Sequence, residues 1–458
     1  MMNQNLAYAM RTVPRYTSYP TTPHFHDAID ASTYAGWLGG LGPTDTLSLY
    51  LHVPFCREIC HYCGCHTKAT RKEEPLRAYA KTLGQEIELV AGYLTDAGPV
   101  RHIHWGGGTP SLLPEQSLLD LAGLMRVLLR FDPDLEHAIE LDPRSVTASL
   151  AHTLVDIGVN RASLGVQDFD PKVQVAIGRV QPYDVVRAAT DDLRNAGLTA
   201  LNFDLMYGLP EQTTAALLDT VAKTVALRPS RIALFGYAHV PWMRKHQRLI
   251  DESRLPSASE RLAMADAARE ALIGAGYVTV GLDHFALPGD SMARALNDGS
   301  LKRNFQGYTT DQGDQLVGLG VSSIGRLSQG YIQNISDVGH WRRAIEAGRL
   351  PVAKGLALST DDLLRGRIIE QLMTDYRCDL AATCQMFNLS PSVLETSINT
   401  LAELAGDGLV AIENGAPDRL VVSVTEPGRP YVRLAAAAFD AYLAGGNAAS
   451  NARHSVAV

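Results

Sequence analysis

Short apolar runs alternate with helix-periodic stretches from residue 46 to residue 285 of this 458-residue chain. The runs at 46–53 (TLSLYLHV), 100–105, 137–142, 161–167, 200–208, 231–237 and 277–285 have the length and composition of strands. Several are almost continuously apolar, as parallel strands covered on both faces are. Between them, residues 75–94 open with Pro75, which suits a first helical turn. Leu118, Leu121, Met125 and Leu128 step by helical spacing onto one face. Residues 184–196, 212–227 and 258–274 are predicted as further helices. A βα unit repeated about six times predicts an α/β fold, a parallel barrel or open barrel; a closed eight-unit barrel needs more units.

The rhythm stops near residue 355. Residues 364–373, the stretch to 387 and 391–408 read as helices, and 409–415 with 419–424 as a hairpin around Asn414-Gly415. Three helices and a hairpin predict a winged-helix-like domain. Its candidate recognition helix, 391–405, has no Lys or Arg, so packing or a lid role is expected rather than DNA contact. The predicted division is an N-terminal segment 1–35, Tyr- and Pro-rich and read as a substrate cover; a barrel 36–355 with a loop 52–66 of special chemistry; a C-terminal domain 356–443; and a flexible tail 444–458 of small residues.

A net charge of −8 argues against a general nucleic-acid partner. No apolar run is long enough to span a bilayer. The start, MMNQNLAYAMRTVPRYTSYP, lacks the basic-then-apolar pattern of a secretory signal, so a cytoplasmic location is expected. Nothing in the sequence demands assembly, and a monomer is expected.

Four of six cysteines fall in the string His-Val-Pro-Phe-Cys56-Arg-Glu-Ile-Cys60-His-Tyr-Cys63-Gly-Cys65, directly after the first predicted strand. In a reducing compartment such clusters bind metal or do chemistry. Three thiolates spaced by four and three can wrap one iron–sulfur cluster from a single loop, and a four-iron cubane so held keeps one iron open to a small molecule. The other reading is a zinc site using all four thiols, although zinc sites usually pair two short spacings across a longer gap. Cys378 and Cys384 read as buried packing residues.

CxxxCxxC after the first barrel strand resembles the signature of the radical S-adenosylmethionine (radical SAM) superfamily. The ordered segments PRYTSYPT (14–21), CGC (63–65), GGGTP (106–110), ELDPR (140–144), GVQDF (165–169), DLMYGLP (204–210), GLDHFA (281–286) and RNFQGYTT (303–310) resemble the oxygen-independent coproporphyrinogen III oxidases from about residue 11 to residue 440. The resemblance implies a partial (β/α)6-type barrel with a smaller, mainly helical C-terminal domain. It implies one 4Fe–4S cluster on Cys56, Cys60 and Cys63, completed by exchangeable SAM, and a second SAM beside the first. Cys65 is then surplus to the cluster. For the first SAM it points to Tyr50, Gly107, Glu140 and Ile324; for the second, to Tyr62, Gly108, Thr109, Gln167, Arg179, Asp204 and Ala238. Tyr62 departs from the commonly found Phe. From the residues alone, the glycines of 106–108 are equally a turn requiring positive φ. His52 and Cys65 are candidate proton or hydrogen donors, or residues that only shape the loop.

The implied reaction converts two propionates of coproporphyrinogen III to vinyl groups, giving protoporphyrinogen IX. A 5′-deoxyadenosyl radical takes a propionate β-hydrogen, and an electron donor and a separate electron acceptor are required. A tetra-anionic substrate needs local cations; Arg11, Arg15, Arg244, Lys245, Lys302 and Arg303 are the candidates. Rival readings are a haem chaperone or a radical SAM methylase on the same scaffold, and a zinc-stabilised regulatory protein.

Overall fold

A computed structural model describes residues 7–415 and 419–444. Most of the expected tail, 445–458, lies outside the described residues, as do the first six residues and positions 416–418. The barrel strands are β1 (Leu47–Val53), β2 (Val100–Gly107), β3 (Phe131–Leu141), β4 (Arg161–Gln167), β5 (Ala200–Tyr207) and β6 (Arg231–Gly236). They are followed by β7 (Val278–Val280), β8 (His284–Ala286), β9 (Gln315–Leu319), β10 (Ile324–Leu327), β11 (Gly330–Asn334) and β12 (Val352–Ala357). All twelve form one sheet in the order β12-β11-β10-β9-β1-β2-β3-β4-β5-β6-β8-β7. From β9 through β1 to β6 the pairing is parallel; the strands beyond either end run antiparallel.

The helices α1 (Glu74–Ala91), α2 (Glu115–Leu128), α3 (Ala148–Asp156), α4 (Tyr183–Asn195), α5 (Thr214–Leu227) and α6 (Ala258–Gly274) follow strands β1 to β6 in turn. Pro lies in the first turn of α1, where a missing N–H costs nothing. Leu118, Leu121 and Met125 of α2 are buried, as their spacing predicts, but Leu128 at the end of the helix, expected on the same face, is exposed. Thr147, Thr213 and Ser257 cap α3, α5 and α6 with side-chain oxygens. One apolar core joins the strands to the helical faces, with Trp105, Phe203 and Leu51 fully buried within it.

Two expectations about the barrel strands need correction. Residues 277–285 are not one strand but the start of a tight hairpin, β7–β8, in which Val280 pairs with His284. Gly281 breaks the run: its φ is +57° and the Tyr308 ring occupies the place of a side chain. Nor are the central strands apolar on both faces. In β4 and β5 buried and half-buried positions alternate strictly, so one face is polar.

Beyond β12, a helix α7 (Thr360–Asp375) packs with a three-stranded sheet of β13 (Arg377–Asp379), β14 (Val410–Gly415) and β15 (Arg419–Val424), order β13-β15-β14. The 391–408 stretch is a 3-10 turn and two short helices rather than one helix. Asn414 and Gly415 are paired strand residues, opposite Leu420 and Arg419, so the hairpin turn is not at Asn414-Gly415. Tyr8, Val13, Tyr16 and Tyr19 of the N-terminal segment share the core of this unit. Cys378 and Cys384 are buried in it.

Candidate functional site

The half-buried positions along the strands define one polar stripe at the barrel mouth. In β1 the single half-buried residue is Tyr50, which pairs in register with His104 of β2 and stacks on its ring at 5.9 Å. His104 Nε2 lies 3.2 Å from Glu140 Oε1. Glu140 accepts the Gly107 N–H at 3.1 Å through its other oxygen and pairs in register with Ser163. Ser163 and Asn202 donate to Asp204 at 2.9 and 2.8 Å. Burial, and then the charge of Glu140, push the Asp204 carboxyl up to about 6 against these bonds. On the other side of β1, Tyr50 pairs with Gly318, whose missing Cβ leaves room for the Ile324 backbone at 2.8 Å.

At the end of β4, Gln167 has φ +67°, rare for a residue with a side chain, and the β4–β5 register slips there. The following Asp168 holds this bulge. It is buried and accepts Gln212 at 2.6 Å and Thr220 at 3.1 Å, while Thr220 also accepts the Phe169 N–H at 3.0 Å. The GVQDF segment thus encodes both the half-buried Gln167 and its support. Arg179 reaches back beneath the bulge, donating to Gly165 O at 2.8 Å and lying 3.3 Å from Asp142.

The cysteine loop leaves β1 through the short strand Phe55–Cys56, which pairs with Lys68–Ala69. Thr67 and Thr109 hydroxyls point at the Cys56 sulfur, at 3.3 and 3.5 Å. Arg179 Nη1 is 3.5 Å from the Cys60 sulfur. The Cys65 N–H donates to the Cys63 sulfur at 3.4 Å, and thiol hydrogen bonding between the two holds the Cys63 thiol down and the Cys65 thiol up. His246 holds Cys63 O at 2.7 Å, and Gln247 Nε2 holds Tyr62 O at 2.9 Å and Ala238 O at 3.4 Å. The Tyr62 ring packs against Val173, Leu209 and Tyr237.

The glycine turn is stitched to this loop: Gly108 N–H donates to Val53 O at 2.9 Å and Thr109 N–H to Phe55 O at 2.7 Å. Gly107 has φ +111°, and a Cβ there would lie 2.5 Å from the His52 ring. A Cβ on Gly108 would lie 2.5 Å from Phe55 O. The positive-φ reading holds at Gly107, and the close approach at Gly107 and Gly108 is to the chain itself. The buried His52 ring is engaged at both nitrogens, with Tyr50 OH at 3.2 Å and His66 O at 3.1 Å, and burial lowers its pKa.

Among the described residues, no group of three or more His, Cys, Asp or Glu is arranged to hold a single metal ion. The loop's donors suit an iron–sulfur cluster instead: three thiols within a loop of eight residues, with a buried guanidinium whose Nε has no partner beside one of them. Sequence reasoning missed His104, Ser163, Asn202, Asp142, His246 and Gln247. Ser163 and Asn202 lie on the polar face of alternating strands, a signal that the sequence carried; His246 and Gln247 act from a segment about 180 residues away and gave none.

Residues 50–223 match the family described as the Radical SAM superfamily. The chain is 49% identical over 438 residues to an oxygen-independent coproporphyrinogen III oxidase of Bradyrhizobium diazoefficiens, covering 96% of both chains. It is 41% identical to one of Paracoccus denitrificans, covering 94% of each. The solved structure of coproporphyrinogen III oxidase from Escherichia coli, described as a radical SAM enzyme, superposes with a TM-score of 0.89 at 35% identity, covering 94% of this chain and 98% of that one. The radical SAM barrel, its cysteine loop and this near-full-length likeness together show that the chain belongs to the family of oxygen-independent coproporphyrinogen III oxidases, radical SAM enzymes.

Proposed function

We propose that this protein decarboxylates two propionate arms of coproporphyrinogen III to vinyl groups without oxygen, giving protoporphyrinogen IX. The reading rests on one observation above others: likeness over almost the whole chain to enzymes named for that reaction. Each arm loses a β-hydrogen atom, then CO₂ and one electron, which balances propionate against vinyl. A 4Fe–4S cluster with SAM, held by this loop, would supply the one-electron reductive chemistry that abstracts the hydrogen atom. A separate acceptor takes the electron left on the substrate.

The chain's own residues have distinct tasks. Cys56, Cys60 and Cys63 hold the cluster, and Arg179 beside Cys60 offsets its negative charge. Tyr50, Gly107, Glu140 and Ile324 position one SAM; Tyr62, Gly108, Thr109, Gln167, Arg179, Asp204 and Ala238 position a second. Carboxylates such as Glu140 and Asp204 are two-oxygen acceptors suited to ribose hydroxyls or an ammonium group. Gln167, held at positive φ by the Asp168 network, presents its amide without rearrangement. Cys65 and His52 shape the loop: one donates its N–H to Cys63 and the other is tied down at both nitrogens.

The test is anaerobic turnover of the reconstituted protein with SAM, a reductant, an electron acceptor and coproporphyrinogen III. Protoporphyrinogen IX formed together with CO₂ and 5′-deoxyadenosine supports the proposal. Tight haem binding without decarboxylation would instead favour a haem carrier.

A further inference from the structure

A cavity of about 390 Å³ opens beside the C-terminal end of β6, between the β7–β8 hairpin, α6 and the C-terminal unit. That volume is in the range of small-molecule pockets, about 300–1,000 Å³. Six arginines line it, drawn from distant parts of the chain: Arg15, Arg261, Arg269, Arg303, Arg429 and Arg433. Only three carboxylates face them, Asp266, Asp283 and Glu426, and Asp283 is bonded to His284 at 2.7 Å. In a chain of net charge −8, this is a concentrated cationic site.

The hydrogen-bond partners of the inner arginines are backbone carbonyls. Arg15 donates to Gly236 O at 3.4 Å, Arg261 to Tyr237 O at 2.8 Å, and Arg303 to Tyr16 O and Arg15 O, both at 3.3 Å. Arg261 Nε and Arg303 Nη1 are buried with no hydrogen-bond partner. Desolvation, and then the neighbouring guanidiniums, hold Arg433 down to about 9; Arg15 is also lowered, first by burial. Cations enclosed against one another gain from any anion that enters between them. Aromatic side chains also line it, among them Tyr207, Phe235, Trp242 and Tyr376. A site combining planar guanidinium forks with aromatic faces suits a flat ring bearing several carboxylates better than it suits a compact inorganic anion.

The cavity also touches the reaction centre. Ala238 lines it, and the same Gln247 amide that holds Ala238 O holds Tyr62 O of the cysteine loop. Of the six cations singled out in the sequence, Arg15 and Arg303 line this wall, whereas Arg11 is paired at the surface with Glu403.

We propose that this arginine-lined cavity binds the carboxylate arms of the tetrapyrrole substrate, with Arg15 and Arg303 as its principal cations and Arg269 and Arg429 flanking them. The proposal rests on the functional reading above. The probe is coproporphyrin III, the oxidised ring with the same four propionates, titrated by fluorescence into the anaerobically reconstituted protein; its tetramethyl ester is the uncharged control. Arg15→Gln and Arg303→Gln are expected to weaken coproporphyrin III binding about tenfold or more, the scale of a lost charge-assisted hydrogen bond. Arg15 and Arg303 also hold backbone, so Arg269→Glu and Arg429→Glu serve as second variants. These are expected to weaken binding with unchanged iron and sulfide content. The ester is expected to bind far more weakly than the acid, and added salt to reduce the difference. If the unmodified protein converts coproporphyrinogen III but all four variants bind the acid as tightly as it does, the cavity assignment is overturned and the functional reading stands. If the unmodified protein neither binds the acid nor converts the substrate, the functional reading fails and takes the assignment with it.

Discussion

Replacing Gly107 with alanine separates two physical effects that meet at one residue. Its φ of +111° strains any residue carrying a Cβ, at about 1–3 kcal/mol. The new methyl would also lie 2.5 Å from the His52 ring, and moving that ring breaks its contacts with Tyr50 OH and His66 O. Overpacking of this kind costs a further ~1–3 kcal/mol. Gly197 is the control: its φ is +103°, and nothing lies within 4 Å of the position its Cβ would take. Unfolding entropy of about 2.1 cal/mol/K per residue gives roughly 1 °C per kcal/mol for a chain of this length unfolding as one unit. Thermal unfolding of the reconstituted protein is therefore expected to show Tm lowered by roughly 2–6 °C in Gly107→Ala, against roughly 1–3 °C in Gly197→Ala. SAM affinity, measured by equilibrium dialysis, is expected to fall only in Gly107→Ala, because only there is the Tyr50–His52 pair displaced. Equal Tm losses in the two variants, with SAM binding unchanged in both, would refute the packing argument.

Asp204 takes up a proton near pH 6, so SAM binding that needs its ionised form is expected to weaken as pH falls through about 6 and to be flat above it; a pH series in which Asp204→Asn keeps the same dependence would contradict this. Cys65→Ser is expected to retain its full iron and sulfide content and substantial turnover, because the backbone N–H that reaches the Cys63 sulfur is kept and a serine hydroxyl can replace the thiol contact beside it; normal iron with abolished turnover would assign Cys65 to the chemistry. Glu86 is buried and accepts Gly320 N–H at 2.7 Å, Asn334 Nδ2 at 2.7 Å and Trp341 Nε1 at 3.1 Å, tying α1 to the β9–β11 region. Glu86→Ala strands these donors and is expected to destabilise by about 3 kcal/mol or more; an unchanged Tm would show that the network contributes nothing.

The barrel was legible because each of its strands carries a local signal and each intervening helix an apolar face of 3.6 period. Leu118, Leu121 and Met125 were placed correctly by spacing alone. The cysteine loop was legible because Cys56, Cys60 and Cys63 lie within eight residues. What escaped was non-local. Residues 277–285 read as one strand because nothing nearby shows that Tyr308 fills the space beside Gly281. No local window shows that Tyr8, Val13 and Tyr16 of the N-terminal segment pack into the core of a unit formed more than 340 residues later. The arginine-lined cavity gathers residues 12 to 433, so no window of sequence displays its charge. The polar face of β4 and β5 was present as alternation, hidden by the apolar residues between.

Mass spectrometry of the nucleoside product tests the account at its centre. Anaerobic turnover would use coproporphyrinogen III carrying deuterium at the β-carbons of its propionates. The expected result is 5′-deoxyadenosine that has gained deuterium, in step with release of CO₂. Release of CO₂ with unlabelled 5′-deoxyadenosine, or no cleavage of SAM by protein loaded with iron and sulfide, would contradict the account.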